Sequence, residues 1–363
     1  MNDILERYLR YSNCIFFKGD VPCKEHKLKG KRCPCESYTP IDKKILIIKL
    51  GAAGDVIRTT PILYPLKKHY SNSYIVWISY YPELLPSLID EPLGFSLQSI
   101  LRILAEEFDI LINLDKDKEA LSLTNLVKAK TKKGFFLKDG KCMPINKEAY
   151  HKFLTGIDDK VSRENSFSYL EEIFHICGFS YNKEPYILEV ENFPLKLKNL
   201  KRPVIGLNTG CGERWPTRLW PEDYWVQLAG VLQKKGYSVV ILGGPQEDEK
   251  NKRIAHNSGA LYLGYFPLKE FISLVNECDC IITQVSLAFH IAIGLKKKVI
   301  LMNNVFNRNE FELYGCGKII EPPVDCLGCY KNFCEKKCME LISVEDVIRE
   351  VENFCSLKVN ERV

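Results

Sequence analysis

Four short segments place small residues, hydroxyls and charge directly after apolar runs, where an α/β protein binds its ligands. In the first, Gly51, Ala52, Ala53 and Gly54 have almost no side chains, so backbone amides there can approach a ligand, and Asp55 follows them. A carboxylate at that point can take a proton from a hydroxyl; it can equally cap a helix, a position Asp favours. In the second, Thr209, Gly210 and Gly212 expose amides and a hydroxyl, and Arg214 and Arg218 add positive charge. That set suits a diphosphate leaving group, whose developing charge has to be neutralised. The bland reading is a loop with surface arginines. The third segment, Gly243-Gly-Pro-Gln-Glu-Asp-Glu249, offers a carboxylate to a ribose hydroxyl, although acids suit any helix start. In the fourth, Ser286 can cap a helix and donate to phosphate, with His290 about one turn inside; a lone His by an apolar face is otherwise structural.

Other motifs point elsewhere. The first turn lacks the spacing of a P-loop and the third glycine of a dinucleotide fingerprint. Asp115-Lys-Asp117 has the form of a metal-binding Asp-x-Asp, but lysines alternate with the acids, so it reads as a solvated helix start. Eight of the fifteen cysteines fall in two groups: Cys14, Cys23, Cys33 and Cys35 ahead of the first strand, and Cys326, Cys329, Cys334 and Cys338 near the end. In a reducing compartment such groups read as structural ligands for zinc, iron or an iron–sulfur cluster before disulfides. Cys142, Cys177, Cys211, Cys278, Cys280, Cys316 and Cys355 read as small core residues.

The elements that position these residues follow from hydrophobic periodicity. Short apolar runs at 45–50, 74–79, 109–114 and 134–137 predict strands, separated by helical patterns at 55–66, 82–89, 99–108 and 118–129. Further helical patterns occupy 147–156 and 166–177. After an irregular, proline-marked stretch at 181–202 the rhythm restarts. Strands are predicted at 203–208, 238–242, 261–265, 280–283 and 298–302, with helices at 221–235, 247–255, 268–278, 286–295 and 343–354. Alternating β and α elements imply parallel sheets covered on both faces. The expected organisation is a Cys-rich module at 1–43, a first α/β domain at 44–190, a second α/β domain at 203–342 that includes the cysteine loop 326–338, and a terminal helix and tail at 343–363.

Composition sets the outer bounds. A chain of 363 residues with 46% hydrophobic and 27% charged residues suits two soluble globular domains. A net charge of +5 with scattered Lys and Arg favours phosphates, nucleotides or a membrane surface over nucleic acid. The charged N-terminus lacks a signal-peptide core, and no apolar run approaches the ~18 residues of a spanning helix. The expected location is cytoplasmic, with peripheral contact at the inner face of a membrane.

The run Lys44-Ile-Leu-Ile-Ile-Lys-Leu-Gly-Ala-Ala-Gly-Asp-Val-Ile-Arg-Thr-Thr-Pro61 resembles the opening of glycosyltransferase family 9, the ADP-heptose:lipopolysaccharide heptosyltransferases. Arg218-Leu-Trp-Pro221, Leu242-Gly-Gly-Pro245, Ser286 to His290 and Cys326-Leu-Gly-Cys-Tyr-Lys follow in the family's order. The resemblance covers roughly residues 43–352. It implies a GT-B fold, two Rossmann-like domains facing across a cleft, the first the acceptor domain and the second the nucleotide-sugar domain, and metal-independent inverting transfer from a nucleotide-diphosphate sugar, ADP-heptose, to a saccharide, lipid-linked or protein acceptor. By that resemblance Asp55 is the base and Arg218 stands where a Lys contacts the donor phosphate. Ser286 and His290 match the donor-site motif, and Glu247 matches a ribose-binding Glu. The chain departs from the pattern at Val285, where the family usually has Asp, at Leu287, where it has Gly, and at Met302-Asn-Asn-Val-Phe-Asn-Arg308, which replaces Phe-Gly-Pro-Thr. The alternatives are a nucleotide-sugar epimerase of similar architecture and a degenerate transferase acting as a metal-stabilised binding module.

Overall fold

The computed structural model describes residues 2–193 and 200–355. Contacts divide the chain into two units, the first built from Met1–Leu50 and Ile62–Ala149, the second from Gly51–Pro61 and Tyr150–Val363. Each unit is a six-stranded α/β sheet.

In the first unit the strands are β1 (Lys43–Ile48), β2 (Ser73–Ser79), β3 (Glu91–Gly94), β4 (Glu107–Asn113), β5 (Lys128–Lys138) and β6 (Lys141–Pro144). Their order is β3-β2-β1-β4-β5-β6, all parallel except the β5–β6 hairpin. The apolar runs that predict β1, β2 and β4 are buried on both faces, as parallel strands between helices have to be. Leu46, Ile48, Val76, Ile78, Phe108 and Leu111 form the centre of one core cluster.

In the second unit the strands are β7 (Val204–Asn208), β8 (Ser238–Leu242), β9 (Leu261–Tyr262), β10 (Cys280–Gln284), β11 (Lys298–Met302) and β12 (Gly317–Ile320). The order β12-β11-β10-β7-β8-β9 is wholly parallel and reverses direction between β7 and β10. Such a switch point opens a crevice at the carboxyl ends of its two strands. The helices Glu222–Lys234 and Val344–Phe354 pack on this sheet through Trp225, Leu228, Leu232, Val347 and Val351. Ser343 caps the last helix through a capping box with Asp346. A disulfide joins Cys280 on β10 to Cys355 just past that helix; both lie in the core, as expected from sequence, and they are paired there.

Several elements differ from expectation for local reasons. The helix expected at 82–89 is a single 3-10 turn, Pro82–Leu84, because Pro86 has no amide to continue it. The helix expected over 118–129 stops at Leu126, and β5 takes the rest, where the lysines alternate at period two. Asp139 and Gly140 both have positive φ and turn β5 back into β6. A short helix, Asp159–Glu164, capped by Asp158, had not been expected. Pro194, part of the expected 181–202 connection, and the tail at 356–363 lie outside the described residues. Among the described residues, no helix is long and apolar enough to cross a membrane.

Candidate active site

The small residues after β1 do more than form a turn. The helix begins at Ala53 and runs to Thr59, with Ala52 at the cap position. Asp55 therefore sits in the third helical position and is not the cap, which removes one of its two sequence readings. This helix belongs to the second unit and packs on the helix Leu287–Gly294. The approach is close at Gly54, where a Cβ would stand 2.5 Å from Cδ2 of His290. Glycine is needed there because the imidazole occupies the space of a side chain.

Arg58, one turn after Asp55, ion-pairs with it at 2.9 Å. The Asp55 side chain remains 32% exposed while that of Arg58 is 11% exposed, so the carboxylate is reachable and the guanidinium is not. The guanidinium carbon sits over the Tyr169 ring, 3.5 Å from its centroid. Burial works against the Arg58 charge, but Asp55 foremost, then Tyr169, Tyr186 and Glu312, hold it firmly protonated. The Thr59 hydroxyl fixes the helix to the same ring, 3.0 Å from the Tyr169 hydroxyl. Glu312 is buried and accepts from the Leu170 amide at 2.7 Å and the Tyr186 hydroxyl at 3.0 Å. Burial pushes its carboxyl up, with Arg58 opposing.

His290 is buried against Gly54 and Phe289. Desolvation, reinforced by the nearby Arg58, pushes its pKa down to about 3. The ring is neutral at physiological pH. Among the described residues, nothing lies within hydrogen-bonding reach of its buried Nδ1.

The switch point of the second sheet gathers the other segments. Asn208 at the end of β7 donates to the Thr283 hydroxyl at 3.0 Å, the Ser286 hydroxyl at 3.2 Å and the Gly210 carbonyl at 2.8 Å. Ser286 occupies the cap of the helix Leu287–Gly294, yet its side chain makes no capping bond and turns to Thr283 instead, 2.8 Å away. Arg218 is buried and donates to the carbonyls of Val285 and Cys211, pinning the 211–218 loop to the start of that helix. Burial lowers its pKa from the ordinary arginine value. Arg214, by contrast, is exposed. Gly212 has positive φ and is open to solvent.

Glu247 lies against the same loop. Its carboxylate accepts from the Gly244 amide at 2.9 Å, and a Cβ on Gly210 would meet its Oε1 at 2.1 Å. Thr209 donates to Asn251 at 2.5 Å, and Lys250 donates to the Thr209 carbonyl at 2.9 Å. Lys250 and Asn251 were missed from sequence, as were Arg58, Tyr169 and Glu312. The spacing Asp55–Arg58 carried a signal, since residues three apart face each other on a helix. Asp115 is buried and accepts from the Leu50 amide at 2.8 Å, so it ties two strands of the first sheet and is not a solvated helix start.

Neither cysteine group matches the single-ion reading. Among the described residues, no three His, Cys, Asp or Glu side chains are arranged to hold a metal ion. In the later group Cys338 accepts from the Asn304 amide at 3.2 Å, while Cys326, Cys329 and Cys334 are free thiols spread along a loop. The loop backbone wraps Asn304 and Val305, to which Gly328 and Tyr330 donate, and this spreads the sulfurs rather than gathering them. In the earlier group the thiols of Cys14, Cys23, Cys33 and Cys35 line one cavity. Burial raises the Cys33 thiol, followed by Cys23, Cys35 and Cys14.

Residues 97–318 match the model of glycosyltransferase family 9 (heptosyltransferase). A lipooligosaccharide heptosyltransferase 2 from Campylobacter jejuni is 24% identical over 332 residues, covering 83% of this chain and 96% of that protein. Among solved structures, the ADP-heptose LPS heptosyltransferase II of E. coli superposes with a TM-score of 0.63 at 16% identity, covering 86% of this chain and 98% of that one. TibC, described as an iron-containing dodecameric glycosyltransferase from enterotoxigenic E. coli, gives 0.57 at 14% identity over 88% and 80% of the two chains. The two parallel-sheet units, the Asp55 helix seated on the His290 helix and the family match over most of the chain converge: this protein belongs to glycosyltransferase family 9, the heptosyltransferase family, and is a glycosyltransferase.

Proposed function

We propose that this glycosyltransferase moves a heptose from a nucleoside-diphosphate donor, ADP-heptose, to a hydroxyl of a lipid-linked saccharide, with inversion and with Asp55 as the general base. The observation that carries the reading is the seating of the Asp55 helix on the helix headed by Ser286. With no Cβ at Gly54, the carboxylate stands near the element whose N-terminus opens at the switch point. A diphosphate bound there meets backbone amides that no side chain caps, and a helix N-terminus favours negative charge.

Asp55 takes the proton of the acceptor hydroxyl as the anomeric carbon is attacked from the face opposite the diphosphate. Arg58 orients the carboxylate through their ion pair and its own stack on Tyr169. His290, neutral at working pH, supplies shape and an uncharged Nδ1 rather than acid catalysis. Departing negative charge is met by the Leu287–Gly294 amides, by Arg218 behind the 211–218 loop and by Lys250 beside Thr209. Gly210, Gly212 and Arg214 line the phosphate side, Thr209 supports that loop from the interior through its bond to Asn251, and Glu247, held by the Gly244 amide, receives a ribose hydroxyl. The donor and acceptor classes come from relatives named as ADP-heptose and lipooligosaccharide heptosyltransferases.

Asp55→Asn tests the base. Turnover should fall by roughly 10²–10⁴ while the stabilisation that ADP-heptose gives the folded protein is kept. NMR of the product anomer tests inversion. A variant with wild-type turnover would remove Asp55 from the reaction.

A further inference from the structure

The N-terminal 42 residues hold a feature that sugar transfer does not use. Cys14, Cys23, Cys33 and Cys35, separated in sequence by 8, 9 and 1 residues, come together around one cavity of about 560 Å³. All four are free thiols. A water molecule takes up about 30 Å³, so the space is far larger than a single ion or a bridging water needs. A mononuclear metal would draw every sulfur to about 2.3 Å from one point, and these thiols do not gather that way. They stand around a polyatomic space.

The surroundings fit an inorganic core with sulfur ligands. Leu5, Leu9, Phe16, Phe17 and Val21 form much of the wall. Three of the cysteines are fixed through their own backbones: Cys14 accepts from Phe17 at 2.9 Å and bridges to Pro40, Cys23 accepts from Lys27 at 3.0 Å, and Cys35 accepts from Tyr38 at 2.9 Å. Residues 11–40 carry six Lys and Arg against three Asp and Glu, a surplus that offsets several thiolates. The segment also needs a staple. Of residues 2–42 only Cys14 is buried, while Leu5, Leu9, Phe16, Val21 and Leu28 are exposed, so this segment has no apolar core of its own.

We infer that this cavity binds an iron–sulfur cluster through the thiolates of Cys14, Cys23, Cys33 and Cys35, and that the cluster holds the N-terminal segment in its fold. Four thiolates are the ligand set such clusters take. Loading is ligand exchange from a thiolate-ligated cluster carrier. Four carrier sulfurs leave the irons as four protein sulfurs bond to them, four protons pass from protein thiols to carrier thiolates, and no iron changes oxidation state.

The test uses full-length protein purified without air. Iron and acid-labile sulfide should be present in equal amounts, about two or four of each per chain, with visible charge-transfer absorption. Cys14→Ser and Cys33→Ser should each remove most of both, and Cys329→Ser should leave both unchanged. Stripping the wild-type protein with chelator should speed proteolysis within residues 2–42 at least tenfold while the remainder of the chain survives, a readout that does not depend on a variant folding. Zinc without sulfide, two disulfides among the four cysteines, or iron that persists in Cys33→Ser and disappears in Cys329→Ser would each overturn the assignment.

Discussion

His290 makes the stability of the second unit depend on acid in a calculable way. Its folded pKa is about 3 against an ordinary 6.5, because desolvation penalises the imidazolium and Arg58 repels it. The folded pKa lies below the unfolded one, so in mild acid the unfolded chain binds a proton at this ring that the folded chain refuses. The stability tied to a neutral His290 is whole above about pH 6.5 and drains away as pH falls toward about 3. Linkage puts the loss at ~0.8 kcal/mol at pH 6, ~2 kcal/mol at pH 5 and ~5 kcal/mol once both forms are protonated. His290→Gln removes the titration. Its stability at pH 7 reflects packing alone, but on going from pH 7 to pH 5 the wild-type protein should lose about 2 kcal/mol more than the variant. Urea unfolding followed by tryptophan fluorescence reads this, since Trp215, Trp220 and Trp225 all lie in the second unit. In parallel, the imidazole NMR signal assigned by its loss in His290→Gln should not titrate between pH 8 and pH 5. Equal losses in the two proteins, or a ring titrating near 6.5, would mean the imidazole is not enclosed against Gly54.

Three further substitutions probe the same geometry. Gly54→Ala brings a methyl to 2.5 Å from an enclosed ring that has little room to retreat, so it should cost about 1–3 kcal/mol of stability and most of the turnover, read by thermal unfolding and initial rates. Arg58→Lys keeps the charge but loses the planar stack on Tyr169, and kcat should fall roughly 10–100-fold with the donor KM unchanged, since only the orientation of Asp55 is disturbed. Gly210→Ala pushes Glu247 from its place against the loop, so donor KM should rise with kcat nearly kept; an unchanged KM would separate Glu247 from the nucleotide.

What the sequence made legible follows the range of the interactions. β1, β2, β4, β7, β8, β10 and β11 are continuous apolar runs ending at Gly or polar turns, and their burial pattern is the sequence pattern. The Asp139-Gly140 turn and the period-two lysines of β5 are local signals too, but the sequence reading passed over both and carried a helix through 129. Arg218 is different. Its loop could be read as ligand-facing, but the carbonyls of Val285 and Cys211 that occupy its guanidinium come from a segment 67 residues away and from its own loop, and carbonyls leave no trace in side-chain chemistry. Glu312 meets Leu170 across 142 residues, which no local spacing reveals.

That long-range cluster explains how the charge of Arg58 can be buried beside Asp55. Arg58 pairs with Asp55 and lies over the Tyr169 ring, with Tyr186 and Glu312 beside it, while Lys152, 5.2 Å from the same ring, is paired with Glu172. Burial pushes the Glu312 carboxyl up, and Asp55, the carboxylate that solvent reaches, is the first of the groups that hold Arg58 protonated. His290, kept neutral by the same burial, adds no second cation to compete for it. Within this cluster the positive charge of Arg58 therefore bears first on the partly exposed Asp55 carboxylate and orients it.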